Sequence, residues 1–240
     1  MQFALREVSV HFGPVIALDR VSFRFPTRGM IALIGENGAG KSTALDVLSG
    51  FIGHTSGEVV NSETGRHESR SWLRNHCARL HQSVVLPNEL TPGAYLNVVR
   101  FPQRAKWICD TGRAKETNLT ETIPEPWALL LDKASVDVRR PIALHSWGQQ
   151  RAVALAAVLM VQKQVLLLDE PFSSLSGRVF EHASHLVQNE AQRRLVIFAE
   201  HDIPHAMEIA DTVLVLKAGQ LKAVVPGKES HYSEILRYFG

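Results

Sequence analysis

The chain has 240 residues, 45% of them hydrophobic and 21% charged, enough to bury a core as one domain or a compact pair of subdomains. Its formal net charge of +2 gives no concentrated basic face for nucleic acid, and its longest apolar run, Ala152 to Val161, is too short to span a bilayer. Two cysteines, Cys77 and Cys109, make neither metal-ligand spacing nor a disulfide framework, and Arg6 and Glu7 interrupt any leader-like apolar stretch.

In chain order, residues 2–26 read as antiparallel strands, Phe3 to Val10 and Ala17 to Phe25, around a loop at His11-Phe12-Gly13-Pro14. Met30 to Ile34 is a short apolar run of the kind buried in a parallel sheet. It leads into Gly35-Glu36-Asn37-Gly38-Ala39-Gly40-Lys41-Ser42-Thr43, which matches G-x-x-x-x-G-K-[ST] at every defined position. Thr43 to Ser49 then reads as a helix that stops at Gly50.

Strand, glycine loop and helix together make a phosphate cradle. Backbone N–H groups turn inward around a polyphosphate and the helix N-terminus adds its positive end. Lys41 is placed to reach the β- and γ-phosphates and the Ser42 hydroxyl to hold Mg²⁺, so the stretch implies a nucleoside triphosphate, with Gly35, Asn37, Gly38, Ala39, Gly40, Lys41, Ser42 and Thr43 around it.

Gly57 to Val60 starts a further strand, and residues 61–76, polar and charged, read as a surface excursion. Leu80-His81-Gln82 leads into Ser83 to Pro87. From about 88 to 145 strand character fades, with Pro92, Pro102, Pro124 and Pro126 punctuating helical pieces and Trp127 to Leu131 packing a small helical subdomain. Ala152 to Val161 is a helix by composition. Val165 to Leu168 and Leu195 to Phe198 read as strands of a parallel sheet, and Thr212 to Leu216 with Leu221 to Val225 as a hairpin about Lys217 to Gln220. Glu229 to Phe239 reads as a short amphipathic helix.

The run from Val165 delivers Asp169 and Glu170 to a strand's carboxyl end, where ligands gather in parallel sheets. Asp169 fits a Mg²⁺ ligand beside Ser42, and Glu170 a general base for an attacking water.

The phosphate loop, Gln82, Ser146-Trp147-Gly148-Gln149, Leu168-Asp169-Glu170-Pro171 and Glu200-His201-Asp202 follow one another in the order of ABC-type ATPases, and the resemblance covers essentially the whole chain. It implies an α/β fold: a P-loop NTPase (RecA-like) core with an antiparallel β subdomain and an inserted α-helical subdomain. On that pattern residues 1–86 and 150–240 form the nucleotide-binding core and 87–149 the helical subdomain.

The resemblance also implies that Phe12 stacks on adenine and that Gln82 contacts Mg²⁺ and the attacking water and links the site to a membrane subunit. His201 would hydrogen-bond the γ-phosphate, completing with Glu170 and Gln82 the catalytic set. Ser146, Gly148 and Gln149 would face the ATP held by a second ABC ATPase chain, the same or different. The family's signature is usually Leu-Ser-Gly-Gly-Gln, whereas this chain has His145-Ser146-Trp147-Gly148-Gln149, and Ser173-Ser174-Leu175-Ser176 has serine where the dimer-contacting loop usually ends in aspartate. Its own ATP-holding half is therefore expected to be intact and the half offered to a partner weakened.

The implied function is an ATP-hydrolysing motor that powers transport through a separate transmembrane permease subunit. It would sit peripherally on the cytoplasmic face of the cell membrane, using ATP and Mg²⁺, with no nucleic acid. The alternative is a soluble ABC ATPase of a cytosolic assembly complex. A regulatory sensor is disfavoured by the presence of Glu170 and His201, and a GTPase by the absence of an Asn-Lys-x-Asp motif.

Overall fold

The structure, a computed structural model, describes residues 3–102, 123–228, 235 and 237–238. Cys109 and most of the helix expected at Glu229 to Phe239 lie outside these residues. The chain forms two compact units: residues 1–79, 163–170 and 188–240 make the first, and 80–162 with 171–187 the second. The sequence pattern expects the helical part at 87–149.

In the first unit, β1 (Phe3–Phe12), β2 (Val15–Arg24) and β4 (Ser56–Asn61) make an antiparallel sheet in the order β2-β1-β4. A second sheet has six strands in the order β5-β6-β7-β3-β8-β9, where β3 is Gly29–Ile34, β5 Cys77–Leu80, β6 Val165–Asp169, β7 Leu195–Ala199, β8 Thr212–Lys217 and β9 Gln220–Pro226. β6, β7, β3 and β8 are parallel, and β9 returns antiparallel. β6 and β7 are buried along their whole length, which is why they read as unbroken apolar runs rather than alternating ones. The β8–β9 hairpin turns through Ala218 and Gly219, both at positive φ, the two-residue geometry that matches strand twist.

Helix α1 (Lys41–Leu48) packs between the sheets. Its Ala44, Leu45, Val47 and Leu48 join one core with Phe3, Leu5 and Leu18 of the first sheet and Ile31, Leu167 and Ile197 of the second. Gly50 ends it as expected: its N–H donates to the Val47 carbonyl at 3.0 Å and the Phe51 N–H to Asp46 at 2.9 Å.

Residues 61–76 are not all an excursion, because Arg70–His76 is helix α2, capped by the Ser69 side chain. Its apolar face is too small to signal a helix. It is held instead by Arg70 and Arg74, which donate to the Gly50 carbonyl at the end of α1.

In the second unit, α3 (Pro92–Arg100) and α4 (Trp127–Lys133) both pack on α5 (Trp147–Met160). Helix α5 begins five residues before the expected start because Ser146 and Gln149 form a capping box: the Gln149 N–H donates to Ser146 Oγ and the Ser146 N–H to Gln149 Oε1. Two helices had no sequence expectation, α6 (Gly177–Ala191), which supplies residues to both units, and α7 (Ile203–Ile209) in the first.

Candidate functional site

Three neighbouring parallel strands, β6, β7 and β3, end on one line. Asp169 and Leu33 are both in register with Ala199. The next residues along each strand are therefore brought together at the carboxyl edge: the phosphate loop after β3, Glu170 after β6, and Glu200 with His201 after β7. The Glu170 N–H donates to the Ala199 carbonyl at 3.0 Å and the Glu200 N–H to Leu33 at 3.2 Å, extending the ladder past the strands.

The phosphate loop folds as its spacing predicts. Gly40 sits at φ +101, and a Cβ there would fall 2.5 Å from the Ala17 carbonyl oxygen, so the loop can turn into α1 only with glycine. Space around Gly38 is open, and Asn37, Gly38 and Ser42 are exposed while Gly35, Ala39 and Lys41 are buried, with Thr43 between. Lys41 Nζ donates to the carbonyls of Gly35 at 2.7 Å and Glu36 at 3.1 Å, holding its ammonium across the loop mouth. Burial lowers the Lys41 pKa, and the nearby carboxylates of Glu170, Asp169 and Glu200 pull it back up.

Asp169 is 3% exposed at the end of β6, and Arg79 Nη2 donates to its Oδ2 at 2.9 Å. Glu170 takes φ +48, an uncommon conformation for a residue with a side chain, held where β6 passes into the next loop. His201 Nε2 hydrogen-bonds Glu170 Oε1. The His201 N–H in turn donates to Glu200 Oε1 at 2.8 Å, so a buried carboxylate fixes the backbone of the segment that carries the histidine. Burial pushes the Glu200 pKa up, against the hydrogen bonds from His201 and Asp202 that lower it. Phe12 is the last residue of β1 rather than part of a loop, and 54% exposed.

The remaining expected residues belong to the second unit. Gln82 is exposed, and its carbonyl and that of His81 accept from Arg151 Nη1 at 3.1 and 2.8 Å. Ser146, exposed, uses its hydroxyl in the cap of α5, and Gln149 also donates to the Ser135 carbonyl at 2.7 Å. A Cβ on Gly148 would lie 2.5 Å from the Ser174 carbonyl oxygen, so this glycine is required by close packing. Trp147 beside it is 74% exposed.

Sequence reasoning missed Arg79 and Arg151, and did not give Glu200 a role. All three act through buried polar contacts that leave no periodic or motif signal. Among the described residues no three His, Cys, Asp or Glu side chains group to hold a metal. Mg²⁺ takes one or two protein oxygens and completes its shell with water and phosphate. Buried Asp169 and exposed Ser42 fit such a role.

The parallel sheet with its glycine loop and edge carboxylates has the fold of a P-loop nucleoside triphosphatase. The family model described as ABC transporter matches residues 18–173, and the chain belongs to that family. The sulfate/thiosulfate import ATP-binding protein CysA of Vibrio vulnificus (strain CMCP6) is 32% identical over 224 residues, covering 89% of this chain and 60% of that protein. The chain thus spans about 60% of the length of that curated relative. A solved ATP-binding subunit of an ABC transporter superposes with a TM-score of 0.76 at 20% identity, over 100% of this chain and 94% of that one. A dimeric post-hydrolysis ATP-binding cassette with ADP and Pi bound gives 0.72 at 22%, over 95% and 100%. These two likenesses concern the fold. No helix among the described residues is long and apolar enough to cross a membrane.

Proposed function

We propose that this chain binds and hydrolyses ATP as the motor subunit of a membrane transporter, working through a separate permease subunit. The observation that carries the reading is the shared edge of β3, β6 and β7, which gathers Lys41, Asp169, Glu170 and His201. Its setting in an ABC transporter family chain, whose relative CysA is named an import ATP-binding protein, supports coupling to transport.

Lys41 exchanges its loop carbonyls for the β- and γ-phosphate oxygens of ATP, countering their charge in a buried position where Coulomb interactions are strong. Ser42 and Asp169 hold Mg²⁺, which when bound compensates charge on the transferring phosphoryl group. Glu170 accepts the proton of the attacking water, and its bond with His201 fixes the direction in which the carboxylate points. His201 also hydrogen-bonds the γ-phosphate, and Phe12 offers an exposed ring for adenine.

A second ABC ATPase chain supplies the facing half. Ser146, Gly148 and Gln149 are what this chain presents in return, at the N-terminus of α5. Trp147 projects from that same terminus, which favours a partner of different sequence with an intact signature. The protein then lies against the cytoplasmic face of the membrane through its permease.

Purification from native membranes in mild detergent tests this. A permease with a second ABC chain is the expected result. A permease with two copies of this chain would discard the asymmetric pairing, and reproducibly soluble partners alone would replace transport by a cytosolic assembly role.

A further inference from the structure

Arg79 has no part in the mechanism above, yet it is a buried cation in direct contact with one of its carboxylates. Its side chain is 8% exposed, on strand β5. One nitrogen, Nη2, reaches two carboxylates on two different elements: Asp169 Oδ2 at 2.9 Å, on β6, and Asp46 Oδ1 at 3.1 Å, on α1. Nε also donates to Asp46 Oδ1 at 3.2 Å. Asp46 stands four residues after Ser42, on the same face of α1 one turn along. The guanidinium therefore bridges the carboxylate assigned to Mg²⁺ and an acidic side chain with no part in holding phosphate or metal.

Charge makes this arrangement consequential. A carboxylate as buried as Asp169 needs a compensating cation, and Arg79 supplies it when metal is absent. When a divalent ion arrives at Asp169, two cations compete for one carboxylate, and Arg79 already holds the alternative partner. We propose that Arg79 is a positioning residue that neutralises Asp169 in the metal-free protein and transfers its charge to Asp46 as Mg²⁺ binds, so that Asp46 sets how readily the site takes Mg²⁺. The inference rests on the assignment of Asp169 to Mg²⁺.

The test is equilibrium ATP binding by calorimetry, in EDTA and across a Mg²⁺ titration, for wild type, Asp46→Asn and Arg79→Gln. Wild type gains affinity as Mg²⁺ is added. Without the acceptor, Asp46→Asn needs about tenfold more Mg²⁺ for half of that gain, a change of the size seen when groups behind metal ligands are altered, and matches wild type in EDTA. With the competitor removed, Arg79→Gln needs about tenfold less, and its melting temperature falls in EDTA and recovers in Mg²⁺-ATP. If Arg79→Gln does not fold, Asp46→Asn decides alone. Unchanged Mg²⁺ requirements, or a higher requirement in Arg79→Gln, would overturn the proposal and leave a structural or purely orienting ion pair. A wild-type protein whose ATP affinity ignores Mg²⁺ would instead overturn the assignment of Asp169 itself, and the proposal with it.

Discussion

At Lys41 the chain keeps an ammonium in a buried loop by giving it two backbone carbonyls and a ring of acids. On the proposed reading phosphate oxygens replace those carbonyls, so Lys41→Ala is expected to abolish measurable ATP binding while leaving the melting temperature close to that of wild type. Calorimetry and a thermal scan check both. Glu200 makes a pH-dependent prediction. Its folded pKa is raised above the ordinary 4.5 by burial, so the proton it retains stabilises the fold below that value, and this contribution is lost as pH rises through the folded pKa. Glu200→Gln keeps an oxygen for the His201 and Asp202 N–H groups without the charge. The variant should therefore gain in melting temperature over wild type as pH climbs from about 4 to about 8; a gap that widens in acid would contradict the burial argument.

Among the elements, the N-terminus of α5 joins a residue that packing fixes to one that it leaves free. Gly148 lies against the Ser174 carbonyl, so Gly148→Ala should cost about 1–3 kcal/mol in denaturant unfolding, the usual penalty for overpacking. Trp147, exposed in the monomer, should tolerate alanine within about 0.5 kcal/mol. A large loss from Trp147→Ala would mean that the ring is bound within this chain. The elements also differ in how far sequence reveals them. β3, β6 and β7 were legible because strands buried on both faces must be apolar throughout. α2 was not, since Trp72 and Leu73 are its only apolar residues and make no periodic stripe, and the helix is also tied down by arginine-to-carbonyl bonds. α5 was found but started late, because Trp147 and Gly148 are poor helix formers by themselves and the capping box overrides them.

Across the whole molecule, the phosphate loop and the edge acids were readable because phosphate binding requires glycines, a lysine and a hydroxyl at fixed spacing in one stretch of chain. Arg79 and Glu200 were not, since each works through partners made adjacent only by folding: Asp46 lies 33 residues from Arg79 and Asp169 lies 90. The order of the parallel strands follows from register, which motif spacing does not encode. The central claim is that the edge of β3, β6 and β7 is an ATP-hydrolysing site. Its most direct test is phosphate release from Mg²⁺-ATP by the complex purified from membranes, with wild-type chain and with Glu170→Gln. We expect the variant to bind ATP as wild type does and to release phosphate slower by roughly 10²–10⁴-fold, the loss typical of a removed general base. Equal turnover in the two, or a wild-type complex that releases no phosphate, would contradict it.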